Sequence, residues 1–121
     1  MSVPWWMPFG SVDEIAPKDL YAKIKNNGKD LQLLDVRSTA EYAEGHIANT
    51  INIPINELPS RVGELKFDPL HPVYAICLSG HRSVPAYRLL KGKGYTQVFS
   101  LSGGMMAWWA AKLPNGKGKS K

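Results

Sequence analysis

The 121-residue chain has one cysteine, Cys77. A lone thiol excludes an internal disulfide, so covalent sulfur chemistry at Cys77 has to be completed by an outside partner. Three histidines, His46, His71 and His81, are scattered along the chain, and no Cys/His cluster has metal-ligand spacing. No structural metal and no cofactor are therefore expected. No apolar run approaches the roughly 20 residues that cross a bilayer, and the N-terminus has neither a basic n-region nor an apolar core of signal type. The expectation is a soluble cytoplasmic protein without a membrane partner. No internal repeat occurs, and the length suits one domain able to bury a core without staples. Acidic residues are the minority, 10 against 15 basic, for a net charge of +5. Lys117, Lys119 and Lys121 supply three of those charges and leave +2 on the rest, too little to point to a nucleic-acid partner.

What is present is concentrated between Val73 and Leu90, V-Y-A-I-C-L-S-G-H-R-S-V-P-A-Y-R-L-L. Val73 to Ile76 is a short β-favouring run, and Ala86 to Leu90 carries helix formers, so the segment reads as strand, tight loop, helix. Cys77 ends the strand. Ser83 is a natural N-cap and Pro85 suits a first helical turn, which starts the helix at about Ser83 or Val84. The unpaired amides of a helix start favour negative charge in the loop before it. Gly80 allows the loop to curl with its N–H groups inward, and Arg82 adds a permanent cation. Such surroundings favour the thiolate, the nucleophilic form.

The rest reads as alternating strands and helices. Ser11 to Ile15 suits a short edge strand. Pro17 opens a helix with Leu20, Tyr21 and Ile24 on one face, stopped at Asn27-Gly28. Leu31 to Val36 is too continuously apolar to be half exposed and reads as a central parallel strand. Ser38 or Thr39 can cap a short helix, with Glu41 near the capping-box position and Gly45 closing it. Thr50 to Ile53 is another β-favouring run, and Leu58, Val62 and Leu65 form an approximate helical stripe within Ile55 to Leu65. Tyr95 to Leu101 supplies a last strand, and Ser102-Gly103-Gly104 turns into a helix with Met105, Trp108 and Trp109 near one face. This order predicts a parallel α/β sheet covered on both faces, in which ligands bind beyond the carboxyl ends of the strands. Cys77 lies at such an end.

C-L-S-G-H-R-S resembles the active-site loop of the rhodaneses, sulfurtransferases that carry a sulfane sulfur as a cysteine persulfide. Four residues separate Cys77 from Arg82, as in the sulfur-transferring members, whereas the related phosphatases and arsenate reductases use five. The block L-L-D-V-R-S-T-A-E-Y-A-E-G-H-I-A-N-T-I-N-I-P resembles the upstream rhodanese signature, and G-Y-T-Q-V-F-S-L-S-G-G-M-M-A-W-W-A-A-K-L-P the closing one. The resemblance spans about Val12 to Pro114 and implies a single-domain rhodanese-like three-layer fold, with a mainly parallel five-stranded sheet. It implies Cys77 as nucleophile and Arg82 as its catalytic partner. Leu78, Ser79, Gly80, His81 and Ser83 would form the persulfide-binding loop, and Asp35, Arg37 and Glu41 its support. Asp35 is expected to orient loop donors or pair with Arg82. His46 matches a scaffold residue of the family, His71 reads as an exposed loop residue, and His81 is expected at the pocket rim.

The implied reaction moves a sulfane sulfur from a small anionic donor such as thiosulfate to an external acceptor, which is cyanide, a thiol or a sulfur-carrier protein. Alternatives are a persulfide relay with little thiosulfate activity, a phosphatase or arsenate reductase of the same fold, and a non-catalytic binding module, which Cys77 and Arg82 together disfavour. The expected organisation is an aromatic, proline-rich arm over residues 1–10, the domain over 11–114 and a basic, disordered tail over 115–121. Trp5, Trp6 and Phe9 of the arm suit packing on the core edge or, failing that, a contact patch or a lid over the active site.

Overall fold

The computed structural model describes residues 12–79 and 83–115. Among these residues five strands form one sheet: β1 (Glu14–Ile15), β2 (Gln32–Asp35), β3 (Ile51–Asn52), β4 (Val73–Ile76) and β5 (Val98–Leu101). The order is β1-β5-β4-β2-β3, with every neighbouring pair parallel. Helices α1 (Pro17–Asn27), α2 (Thr39–Glu44), α3 (Leu58–Arg61), α4 (Ser83–Gly92) and α5 (Gly104–Ala110) complete the α/β fold. The arm over residues 1–10 and the lysines of the tail lie outside the described residues.

Strand alternation divides the core into two layers. Leu34, Val73, Ala75, Cys77 and Val98 face one side, where they pack with Leu58 of α3 and with Ala86 and Leu90 of α4. Leu33, Tyr74, Ile76 and Leu101 face the other, against Leu20 of α1 and Met105 and Trp108 of α5. β4 and β2 are central, and β4 is buried along its whole length. The register therefore fixes the face on which Cys77 emerges.

Two expected boundaries move. The stripe from Ile55 to Leu65 is not one helix: α3 covers only Leu58–Arg61 and continues as a 3-10 turn over Val62–Glu64. Pro59 accounts for this, because its ring blocks the carbonyl four residues back and it has no N–H to continue a helix from Ile55. Leu58 and Leu65 are still buried. α1 stops at Asn27 as expected, and Gly28, with a right-handed φ of −54°, leads into a 3-10 turn to Asp30. Regular pairing of β5 begins at Val98 rather than Tyr95, while Tyr95 is buried in the core layer with Ala86, Leu90 and Val98.

At the carboxyl ends of the strands, the capping box at Ser38 and Glu41 starts α2 directly after β2. No helix among the described residues is long and apolar enough to cross a membrane.

Candidate active site

Cys77 follows the last residue of β4 and is 1% exposed. Its carbonyl accepts a hydrogen bond of 2.8 Å from Met105 N–H, and the Leu78 carbonyl accepts one of 2.8 Å from Met106 N–H. The first turn of α5 thus grips the backbone on both sides of the bond leaving Cys77. Such an approach needs a residue without a side chain at Gly104, which has φ +61° and whose added Cβ would collide with Cys77 O and lie 2.6 Å from Leu78 O. Gly103, at φ +71°, makes the turn into the helix.

Cys77 Sγ lies 3.6 Å from Ser83 Oγ, to which the thiol donates. Ser83 is the first residue of α4, so strand end and helix start meet at the sulfur. The Ser83 hydroxyl in turn shares a short hydrogen bond with Ser100 Oγ. Both serines are buried. Leu78 is half-buried against the α1–α5 layer, and Ser79 is exposed. Gly80, His81 and Arg82 lie outside the described residues.

The three supporting residues are bound to one another and to the turn after β2. Arg37, fully buried, donates from Nε and Nη2 to both oxygens of Asp35, the shortest bond being 2.8 Å. Its backbone N–H also donates to Asp35 Oδ1 at 3.0 Å. Two further guanidinium hydrogens, one on Nη1 and one on Nη2, reach the carbonyls of Glu41 at 3.2 Å and Gly45 at 2.7 Å. The Glu41 carboxylate accepts from the Ser38 amide and hydroxyl. Asp35, expected to orient loop donors or to pair with Arg82, has its carboxylate engaged by Arg37, whose Cζ also stacks 5.9 Å from the Trp109 ring. The buried pair is a local frame: its hydrogen bonds satisfy the charges that burial would otherwise penalise.

His46 is fixed by Tyr42. Nδ1 donates to the Tyr42 carbonyl at 2.8 Å, and the ring stacks on Tyr42 at 3.7 Å between centroids. His71 is 70% exposed, 3.8 Å from Asp68. An open groove of about 900 Å³ runs along the β3 edge past Gln32, Tyr42, Ile51, Arg61 and Phe67, and no described residue of the Cys77 loop lines it. The buried thiol of Cys77, at the carboxyl end of β4, marks the candidate site.

Two residues of this site were not anticipated. Ser100 is legible only from the alternation of β5, which puts it on the same face as Val98, beside Ala75 in register. Asn52 uses its amide to donate to the carbonyls of Asp35, at 3.0 Å, and Arg37, at 2.9 Å, locking the end of β2 to β3. An asparagine in a β-favouring run was its only signal.

The rhodanese-like domain family model matches residues 16–111. The chain belongs to the rhodanese-like domain family. Among similar proteins, a sulfurtransferase of Allochromatium vinosum is 35% identical over 103 residues, covering 85% of this chain and 94% of the relative. A thiosulfate sulfurtransferase of Stutzerimonas stutzeri is 31% identical over 94 residues, covering 78% and 82%. A putative sulfur carrier protein of Bacillus subtilis is 35% identical over 98 residues; that match covers 81% of this chain but only 51% of the longer relative. In the solved structure of a rhodanese-related protein from Thermoplasma volcanium the fold recurs with a TM-score of 0.74 at 34% identity, over 87% of this chain and 98% of that one. In this rhodanese-like domain the Cys77 junction and the α5 grip on it lie within the matched span.

Proposed function

We propose that this protein is a sulfurtransferase that carries a sulfane sulfur on Cys77 between a small anionic donor such as thiosulfate and an external acceptor. The observation carrying this reading is the position of the only cysteine, at the carboxyl end of central strand β4, between a backbone grip from α5 and the start of α4. Names of similar proteins support sulfur transfer as the class of reaction. A lone thiol used in this way suits a reducing compartment such as the cytoplasm.

In the first step the Cys77 thiolate attacks the outer sulfur of thiosulfate. A new S–S bond forms, and the bond to the sulfonate sulfur breaks with its electron pair leaving on sulfite. In the second, cyanide, a thiolate or the thiol of a carrier protein attacks the outer persulfide sulfur, and the electron pair of the S–S bond returns to Cys77. The covalent intermediate makes the kinetics ping-pong. Amides between Leu78 and Ser83, with the Arg82 guanidinium, hold the charge of the outer sulfur, as an oxyanion hole holds an oxygen. With no second cysteine, an internal disulfide cannot discharge the persulfide.

Thiocyanate formation from thiosulfate and cyanide tests this. Native protein is expected to turn over, Cys77→Ser to be inactive, and Arg82→Ala to be slowed by about 100-fold. Native turnover that survives in Cys77→Ser overturns the mechanism. An inactive native protein that still takes up sulfur on Cys77 from other persulfides favours a relay, for which the similarity to a putative sulfur carrier protein is the supporting observation.

A further inference from the structure

Behind the Cys77 sulfur stands a chain of two hydroxyls. The thiol donates to Ser83 Oγ at 3.6 Å, and Ser83 Oγ shares a short hydrogen bond with Ser100 Oγ in which either oxygen can be the donor. The three residues come from the end of β4, the start of α4 and the middle of β5, and each is at most 1% exposed. Val98, two residues before Ser100 on the same face, and Ala75, its neighbour in register, are apolar. A hydroxyl placed in such surroundings is costly unless it is bonded.

The pair can serve both forms of the sulfur because each hydroxyl rotates and can donate or accept. With a thiol, S–H points to Ser83 and the Ser83 O–H points to Ser100. With a thiolate both bonds reverse: Ser100 donates to Ser83, and Ser83 donates to the sulfur. Without a hydroxyl at residue 100, a Ser83 O–H aimed at the sulfur leaves the Ser83 oxygen short of this donor. Hydrogen bonds in such a chain polarise and strengthen one another.

We propose that Ser100 is a positioning residue for sulfur transfer, acting through Ser83 to turn a hydroxyl donor onto Cys77 Sγ whenever that sulfur carries negative charge. This rests on the persulfide reading above and adds a step to it. In the persulfide the charge sits on the outer sulfur, one S–S bond away from Ser83. It returns to Sγ only when the acceptor attacks the outer sulfur and Cys77 departs as thiolate. The serine pair therefore favours release, where Cys77 is the leaving group and an easier leaving thiol goes faster. Loading of the persulfide gains less, since a better stabilised thiolate is more abundant but less nucleophilic.

The test is an ultraviolet titration of the thiolate in the full chain, read as the difference from Cys77→Ser; with one cysteine, the signal has one source. Ser100→Ala is expected to raise the midpoint by about half to one pH unit. Ser83→Ala is expected to raise it at least as far, and the double variant no further than Ser83→Ala alone, because Ser100 acts through Ser83. Ser100→Thr and Ser100→Val have nearly the same shape and differ in the hydroxyl; the threonine variant is expected near the native midpoint and the valine variant near Ser100→Ala. This pair carries the test if the alanine variant does not fold. Asp35, Arg37 and Arg82 are unchanged in every variant, so differences in midpoint read the hydroxyls. Release of sulfur from preloaded protein to cyanide in a single turnover is expected to slow about 3- to 10-fold in Ser100→Ala, and loading to slow less.

Equal midpoints for the threonine and valine variants, shifts that add in the double variant, or loading slowed more than release would each overturn the proposal. The titration needs no sulfur donor. Failure of thiosulfate as a donor therefore refutes the substrate reading while leaving the serine pair to be judged by the midpoints.

Discussion

Replacing Gly104 with alanine puts a methyl group into the space where α5 meets the backbone after Cys77. The new Cβ would collide with Cys77 O and stand 2.6 Å from the carbonyl carbon and oxygen of Leu78. None of these is the movable end of a side chain, so the helix start or the Cys77 loop must shift. Residue 104 also sits at φ +61°, which costs a residue with a Cβ about 1–2 kcal/mol. The shift stretches or breaks the bonds from Met105 and Met106 to the Cys77 and Leu78 carbonyls, each contributing about 0.5–1.5 kcal/mol. Together these give a loss of about 2–5 kcal/mol, or a fall in Tm on the order of 10–20 °C for a chain of this size. The same displacement moves the Cys77 sulfur, and sulfur transfer is expected to drop by about 10- to 100-fold in the folded fraction.

Thermal melts and thiocyanate assays of Gly104→Ala, beside Gly92→Ala, separate this from a general effect of removing glycine. A Cβ at Gly92, the last residue of α4, meets nothing within 4 Å. Gly92→Ala is expected to be neutral or up to about 1 kcal/mol more stable. A Gly104→Ala protein with native Tm and native turnover would falsify the claim that α5 clamps the active-site backbone.

Arg37→Met is expected to destabilise by about 3–5 kcal/mol in chemical denaturation, because it leaves the buried Asp35 carboxylate without its partner. Restoring much of that loss with Asp35→Asn in the same chain would show that the stranded charge is the cause. Ser38→Ala removes the acceptor for the Glu41 amide in the capping box and is expected to cost about 1 kcal/mol, read from the denaturation midpoint. Burial raises the phenol of Tyr74 above its ordinary value of 10.0, so its folded form keeps a proton that the unfolded chain loses. That contribution is intact below pH 10 and is lost as pH rises through the folded value. Denaturation midpoints are therefore expected to fall above pH 10, and less steeply in Tyr74→Phe; equal slopes would refute the assignment.

Local chemistry made much of this molecule legible in the sequence. The apolar run of β2 and the short β-favouring run before Cys77 in β4 placed the two central strands, and the helix-start residues Ser83 and Pro85 marked the junction after the sulfur. Ser38 and Glu41 announced their capping box by spacing alone. Where one residue overrode a periodic pattern the reading went astray, as at Pro59, which cut the expected helix to a single turn. Contacts between distant segments were least visible. Nothing near Ser100 in the chain shows that its hydroxyl meets Ser83, and nothing near Gly104 shows that it lies against the carbonyls of Cys77 and Leu78. Arg37 shows the same limit: the family motif marked it, but only the fold reveals that Asp35 engages it and that two turn carbonyls accept from its Nη1 and Nη2.

Intact-mass spectrometry after brief exposure to thiosulfate tests the central claim most directly. The account predicts that native protein gains the mass of one sulfur atom, that the addition maps to Cys77 and that cyanide removes it with release of thiocyanate, while Cys77→Ser gains nothing. A native protein that turns thiosulfate over without ever carrying sulfur on Cys77 would contradict it.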